Sequence, residues 1–242
     1  MLGTGPRKLA IFDVDGTLLD NMECEDVCYS TALREMLGLS WVDTDWSRYE
    51  HVSDAAIAVE AFRRQFGSDP TTAQLDATIS RFVRLLGDAH RADPEAIVPV
   101  PGALEMLESL QSRGWAVALA TGAWRRAAEL KLSGGGVRYA DLPLATSEDG
   151  PARTRIVTTA RSRAEQRHAI ERFERVVCIG DGVWDVWAAR DLELPFVGVG
   201  SGARAEQLAT AGAHVVVADF VDIDGTVAAF ETAPSPGGFD PR

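Results

Sequence analysis

Two hydrophobic patterns alternate along the chain. Short runs of consecutive apolar residues, each ending in small or polar residues, stand at 8–14, 115–121, 175–181, 194–200 and 214–219. Runs of this length predict buried β-strands. Helical patterns lie between them, as at 102–113, where leucines recur at three-residue spacing before Gly114. The alternation predicts an α/β fold with a Rossmann-like, three-layer core, in which helices cover both faces of a parallel sheet.

The segment between the first two predicted strands has a different pattern. From Met22 to about Ile97 the apolar positions follow helical spacing, most clearly at Leu75, Ile79, Phe82 and Leu86. We find no convincing strand in this segment. Because one strand precedes this block and the others follow it, we predict an all-helical insertion into the sheet domain.

These patterns predict two domains. Residues 1–20 and 99–242 form a discontinuous α/β core domain, and residues 21–98 form a small helical domain, called the cap below. Glycine and proline are frequent at both ends of the chain, so we predict disorder at 1–7 and 231–242.

Composition excludes several classes of function. A net charge of -12 and a pI near 4.8 argue against nucleic-acid binding, because a phosphate backbone requires a basic surface. One local positive pocket can still hold a small anionic substrate. Three cysteines form no disulfide framework, and no apolar run resembles a signal peptide or a membrane span. We therefore expect a cytoplasmic protein without a membrane partner; the sequence does not indicate its oligomeric state.

Four acidic residues stand at or just after the ends of two predicted strands. They are Asp13, Asp15, Asp181 and Asp185. Ligands bind at the carboxyl ends of the strands in an open parallel sheet, so these side chains are expected at one site. Four carboxylates gathered there would repel one another unless a cation lay among them. Oxygen ligands without a nearby histidine favour Mg²⁺.

Three motifs in this order resemble the haloacid dehalogenase superfamily, specifically its phosphatase-like members with a helical cap. They are "DVDGT" at 13–17, "ATG" at 120–122 and "GDGVWD" at 180–185. The helical insertion also stands where such a cap belongs. The resemblance implies a Mg²⁺-dependent hydrolase of phosphate monoesters.

The resemblance also implies roles for the acids. Asp13 would be the nucleophile that forms an aspartyl-phosphate, and Asp15 would be the general acid and then the general base. Mg²⁺ would be held by the Asp13 side chain, the Asp15 carbonyl and Asp181, with Asp185 as a ligand or as support for the ligands.

Phosphate binding would fall to Thr121 and Gly122 together with a cationic side chain. The family usually has a lysine between the second and last motifs, but Lys131 comes too early in the order. The polar loop and helix start at 147–160 offer Arg153, which we favour, and Arg155 as its competitor. An arginine is always charged and its fork suits phosphate oxygens.

Two further sets of residues have more than one possible role. Ser53 or Asp54 is expected to be the N-cap of a cap helix, and Asp54 is also a candidate contact for the leaving group of the substrate. Trp184 and Trp187 are expected to pack in the core rather than to contact a ligand.

The sequence thus predicts a Mg²⁺-dependent phosphohydrolase that acts on a small phosphorylated metabolite through an aspartyl-phosphate. One alternative is a phosphomutase of the same superfamily, which returns the phosphoryl group to a sugar. Another is a catalytically silent phosphate-binding or scaffold protein. A dehalogenase fits less well, because dehalogenases of this superfamily lack the second acid, which is present here as Asp15.

Overall fold

The computed structural model describes residues 5–237, so the disorder predicted for 1–4 and 238–242 concerns residues outside this range. Within it, the prediction for the C-terminal end is wrong. The last helix continues to Thr232, after which the Pro234 carbonyl accepts a hydrogen bond from the Phe196 amide at 3.2 Å. The Gly237 amide donates to the Gly212 carbonyl at 3.0 Å, so this proline-rich segment is held against the sheet domain.

The described residues contain eight strands. In chain order they are β1 (Lys8–Phe12), β2 (Leu19–Asp20), β3 (Val98–Pro99), β4 (Trp115–Ala120), β5 (Leu144–Ala145), β6 (Arg175–Gly180), β7 (Phe196–Val199) and β8 (Val216–Val217). Six of them form one parallel sheet in the order β5-β4-β1-β6-β7-β8. This confirms the predicted α/β class, with β1 at the centre of the sheet because it pairs with both β4 and β6.

The helices of the described residues fall into an inserted group and a sheet-covering group. They are α1 (Met22–Leu37), α2 (Asp54–Phe66), α3 (Thr72–Ala92), α4 (Ala103–Ser112), α5 (Arg125–Gly134), α6 (Arg153–Arg167), α7 (Val183–Asp191), α8 (Gly202–Thr210) and α9 (Ile223–Thr232). Short 3₁₀ turns lie at Trp46–Arg48, Pro94–Ala96 and Ser147–Asp149.

Alternation along β1 separates the two hydrophobic layers of the core. Ala10 and Phe12 join the cluster that includes α4 and α9, whereas Leu9 and Ile11 join the cluster that includes α6, α7 and α8. Successive side chains of a strand point to opposite faces, so a run that is apolar at every position is buried on both sides. This is the three-layer core that the consecutive apolar runs predict.

The inserted helices begin and end at one antiparallel pair of strands. In this pair Leu19 lies opposite Pro99 and Asp20 opposite Val98. The helices α1, α2 and α3 surround a third apolar cluster, which also includes Trp124 beside α5. The helical pattern predicted for this segment is therefore observed, and its apolar face also packs against the sheet domain.

Candidate active site

The loop after β1 brings the first acid to the centre of the sheet edge. Asp13 is 5% exposed, and its amide donates a hydrogen bond to the Ile179 carbonyl at 2.9 Å, which continues the pairing of β1 with β6. Gly16 has φ +74°, and a Cβ on it would lie 2.1 Å from Asp181 Oδ2. Only glycine allows this turn and the close approach of Asp181 together.

Three carboxylates meet at this edge. Asp13, Asp181 and Asp185 are all buried, and one oxygen of each lies within 4.8 Å of the others. Asp13 Oδ1 is buried without a hydrogen-bond donor in the described part of the chain. Buried carboxylate oxygens with no imidazole among them form a donor set that fits Mg²⁺.

The electrostatics of this cluster favour a bound cation. Burial raises the pKa of Asp13 well above its usual value, and Arg153 offsets this only in part. Burial, reinforced by the neighbouring Asp185, raises the pKa of Asp181 to about 7. Burial also raises the pKa of Asp185. Arg153 and the exposed Arg204, whose Nη1 lies 3.3 Å from Asp181 Oδ2, thus do not offset the cost of ionising all three carboxylates, and a bound cation would lower that cost.

Arg153, at the start of α6, reaches the same cluster. Its Nη2 lies 3.2 Å from Asp13 Oδ1, and its Nε lies 2.8 Å from Asp185 Oδ1. Its Nη1 is buried, has no hydrogen-bond partner among residues 5–237, and would lie 3.1 Å from a Cβ on Gly122. Arg155 is exposed, with its stem against Gly150. The structure thus brings Arg153, rather than Arg155, to the acids.

Lys131 has a place that the order of the motifs did not predict. It is fully buried in α5, and its Nζ lies 2.7 Å from Asp15 Oδ1 and 2.5 Å from Glu25 Oε1. The Asn21 side-chain amide donates to Asp15 Oδ1 at 2.7 Å and to Glu25 Oε2 at 3.0 Å. We call these four residues the Lys131 network.

The Lys131 network controls the charge of its members. Burial favours a neutral Asp15, but the charge of Lys131 and the hydrogen bonds with Glu25, Lys131 and Asn21 together outweigh it and lower the pKa of Asp15. Burial raises the pKa of Glu25 well above its usual value. Burial alone would lower the pKa of Lys131, yet Asp15 and Glu25 raise it. The lysine is therefore a fixed positive charge beside Asp15.

Sequence reasoning missed Lys131 because it relied only on the order of the motifs. A signal was present, since Lys131 follows Ala127 and Ala128 by four and three residues and so stands on the buried face of its helix. A lysine there requires a buried carboxylate partner.

The second motif joins the sheet domain to the cap. The hydroxyl of Thr121 lies 3.4 Å from Asp15 Oδ2 and accepts a hydrogen bond from the Ala123 amide at 3.0 Å. The Gly122 carbonyl accepts a hydrogen bond from the Asp54 amide at 2.8 Å. Asp54 lies in the inserted helical segment, so this segment and the sheet domain meet directly at the second motif.

The expected capping of α2 by a side chain is not observed. Ser53 occupies the N-cap position, but its hydroxyl donates to the Pro151 carbonyl at 3.0 Å instead. Asp54 is the first residue of α2, and its Oδ2 accepts a hydrogen bond from the Trp124 amide at the start of α5. Both side chains therefore connect the cap to the sheet domain. Burial raises the pKa of Asp54 to about 7.

A cavity of about 80 Å³ lies between the acids and the cap. Asp13, Asp15, Thr121 and Arg153 line its lower part. Trp184 also lines it, which corrects the expectation that this tryptophan packs in the core. Typical sites for drug-sized ligands measure roughly 300–1,000 Å³, so this cavity accommodates only a small molecule.

The fold and the carboxylate site define a known family of enzymes. The family model of the haloacid dehalogenase-like hydrolases matches residues 7–192. The chain therefore belongs to the haloacid dehalogenase-like hydrolase family, and it is an enzyme of the hydrolase class. None of the described helices combines the length and apolar character needed to cross a lipid bilayer.

Individual relatives extend this result. A phosphoglycolate phosphatase of Agrobacterium fabrum is 27% identical over 238 residues, which is 95% of either chain. Among solved structures, CbbY from Rhodobacter sphaeroides in complex with phosphate has a TM-score of 0.68 at 20% identity, covering 94% of this chain and 100% of CbbY. A hydrolase from Pseudomonas syringae has a TM-score of 0.67 at 22% identity, and the match covers 93% of this chain and 98% of the Pseudomonas chain. The solved structures establish similarity of fold.

Proposed function

We propose that this enzyme is a Mg²⁺-dependent phosphohydrolase that acts on a small phosphorylated metabolite through an aspartyl-phosphate on Asp13. The observation that carries the proposal is the position of Asp13, buried beside Asp181, Asp185 and Arg153 at the base of the cavity. Phosphoryl transfer depends on positioning and charge neutralisation, which this arrangement supplies. Similarity to a phosphoglycolate phosphatase over nearly the whole chain also supports a phosphatase.

The reaction has two steps. An oxygen of Asp13 attacks phosphorus in line, the bond from phosphorus to the ester oxygen breaks, and Asp15 donates a proton to the departing alcohol. Water then attacks the aspartyl-phosphate, Asp15 takes a proton from it, and inorganic phosphate leaves Asp13. The lowered pKa of Asp15 suits this second step, in which it acts as a base, whereas the first step uses the fraction of the enzyme in which Asp15 is protonated.

The remaining residues bind the phosphoryl group and the metal. Thr121 and Gly122 contact phosphoryl oxygens, and Arg153 donates through Nη1. Asp13, Asp181 and Asp185 would hold Mg²⁺ together with the Asp15 carbonyl, and the ion would neutralise charge that develops on the phosphoryl oxygens.

We further propose that residues 1–20 and 99–242 act as one domain and residues 21–98 as a cap that moves on the β2–β3 pair. The contacts of Ser53 with Pro151 and of Asp54 with Trp124 would hold the cap closed and exclude water. Because the cavity lies between the cap and the sheet domain, movement of the cap would widen it for the substrate to enter and for phosphate to leave.

The test is a phosphate-release screen over phosphorylated metabolites and p-nitrophenyl phosphate, with Mg²⁺ and with EDTA. We expect release with Mg²⁺ and none above background with EDTA, restored by excess Mg²⁺. Isomerisation of a sugar phosphate without release would favour the phosphomutase. Silence in both assays would favour a phosphate-binding protein without turnover.

The two arginines of the α6 start provide a matched comparison. Arg153→Ala is expected to lower kcat by about 100-fold or more, because a buried donor to the phosphoryl group is lost. Arg155→Ala removes the same side chain from an exposed position and is expected to change kcat less than about two-fold. Steady-state kinetics of both variants measures this, and equal effects would refute the assignment of Arg153.

A further inference from the structure

In the phosphohydrolase proposed above, the end of the cavity opposite the acids of the sheet domain would receive the leaving group. We call it the cap face and define it by Met22, Glu25, Asp26, Tyr29, Trp46 and Asp54. Three of these residues are acidic. No arginine, lysine or histidine of the cap is among the described residues that line the cavity. A negatively charged leaving group would therefore meet carboxylates and no cap cation.

Two carboxylates of the cap face have an acceptor oxygen to spare. Asp26 Oδ1 accepts a hydrogen bond from Trp46 Nε1 at 2.9 Å, whereas Asp26 Oδ2 accepts none from residues 5–237. Asp54 is 9% exposed; its Oδ2 is bonded to the Trp124 amide, and its Oδ1 has no donor in the same range. An ionised carboxylate accepts hydrogen bonds and donates none, so each free oxygen can accept a hydrogen bond from a donor on the substrate.

Glu25 is not available in this way. Both its oxygens are occupied inside the Lys131 network, Oε1 by Lys131 and Oε2 by Asn21. The lysine is therefore also occupied, by Glu25 and Asp15, and it does not line the cavity. The free acceptors on the cap side are those of Asp26 and Asp54.

Aromatic rings complete the wall around these acceptors. Tyr29 and Trp46 lie edge to face with their centroids 5.7 Å apart, and the hydroxyl of Tyr29 is committed to the Asp54 carbonyl at 2.6 Å. Trp184 lines the cavity from the sheet domain. The faces of such rings attract cations, and ammonium ions most strongly where water is excluded.

We propose that the substrate is a phosphomonoester of a small amino alcohol, whose ammonium group binds at the cap face between Asp26, Asp54 and the aromatic wall. The proposal rests on the phosphohydrolase function and specifies its substrate class. It separates this enzyme from its phosphoglycolate phosphatase relative, since the leaving group of phosphoglycolate carries a carboxylate.

The experiment compares three phosphomonoesters of nearly equal size that differ in the charge of a two-carbon leaving group. They are phosphoethanolamine, ethylene glycol monophosphate and phosphoglycolate, which end in an ammonium, a hydroxyl and a carboxylate. We expect kcat/KM with Mg²⁺ at pH 8 to fall in that order, with about 100-fold or more between the first and the last. We choose pH 8 because burial raises the pKa of Asp54 to about 7, so a higher pH favours its ionised form.

A pair of variants on α1 locates the effect. Asp26→Asn removes a charge from the cap face and is expected to reduce the ratio of kcat/KM for phosphoethanolamine over phosphoglycolate by about ten-fold or more. Glu23→Gln removes the same charge from the same helix, but Glu23 is exposed and does not line the cavity. The ratio for Glu23→Gln is expected to match that of the unmodified enzyme.

The outcomes separate this proposal from the one on which it rests. Hydrolysis of phosphoglycolate as fast as or faster than phosphoethanolamine overturns the amino-alcohol proposal and leaves the phosphohydrolase standing. If p-nitrophenyl phosphate is hydrolysed and phosphoethanolamine is not, the amino-alcohol proposal is likewise overturned and the phosphohydrolase stands. If no ester, p-nitrophenyl phosphate included, is hydrolysed with Mg²⁺, both proposals fail. The comparison of the three phosphomonoesters on the unmodified enzyme tests the amino-alcohol proposal even if Asp26→Asn does not fold.

Discussion

Replacing Asp13 by asparagine is expected to abolish phosphate release, with a loss in kcat of about 10⁴-fold or more. The amide has nearly the same shape as the carboxylate but lacks the nucleophilic oxygen that forms the aspartyl-phosphate. Its amide oxygen can still accept a hydrogen bond from Arg153 Nη2, which lies 3.2 Å from Asp13 Oδ1 in the unmodified protein. Phosphate release from the best substrate of the screen, followed over hours, measures the residual rate. A loss smaller than ten-fold would exclude Asp13 as the nucleophile.

The same variant should be at least as stable as the unmodified protein, which separates lost chemistry from lost folding. Burial raises the pKa of Asp13 in the folded state, so the ionised carboxylate opposes folding above that pKa. Asparagine has no such cost. In EDTA at pH 8 we therefore expect a Tm equal to or higher than that of the unmodified protein. Below about pH 3, where the carboxyl is mostly protonated in both the folded and the unfolded state, we expect no gain from this source. Asp191→Asn, an exposed acid at the end of α7, is the control for activity and stability.

The sequence predicted the parts of the site that depend on strands. The apolar runs locate β1 and β6, and parallel strands bring their carboxyl ends to one edge, so the strand pattern alone is enough to expect Asp13 and Asp181 together. Asp185 follows one helical turn later. The order of the family motifs along the chain limited the candidates for the cationic residue to Arg153 and Arg155.

The parts that depend on contacts between distant segments were not predictable in this way. Lys131 meets Glu25 across 106 positions of the chain, and neither residue carries a local pattern that names the other. Asp54 was expected near a helix start, but its carboxylate serves the start of α5 rather than its own helix. Strands of two residues, such as β5, are too short for a periodic signal.

Lys131→Met is expected to cost about 3–5 kcal/mol of the free energy of unfolding, because it leaves Asp15 and Glu25 buried together without their shared cation. The fraction of the Lys131→Met variant that stays folded should also have a lower kcat, with a smaller change in KM. The reason is that Asp15 loses the contact with Lys131 that orients its carboxylate. Urea unfolding followed by fluorescence measures the first effect, and steady-state kinetics measures the second. Lys131→Arg, which keeps the charge, should recover part of the stability.

The other lysine of the chain provides the matched control. Lys8 pairs with Glu231 at 2.6 Å, but both side chains are more than one third exposed, so Lys8→Met is expected to cost less than about 1 kcal/mol. Adding Glu25→Gln to Lys131→Met removes one of the two facing carboxylates and should restore part of the lost stability without restoring kcat. Equal costs for Lys8→Met and Lys131→Met would contradict the structural role of the network. Recovery of kcat by the double variant would contradict the role of Lys131 in orienting Asp15, because the double variant has no cation beside that carboxylate.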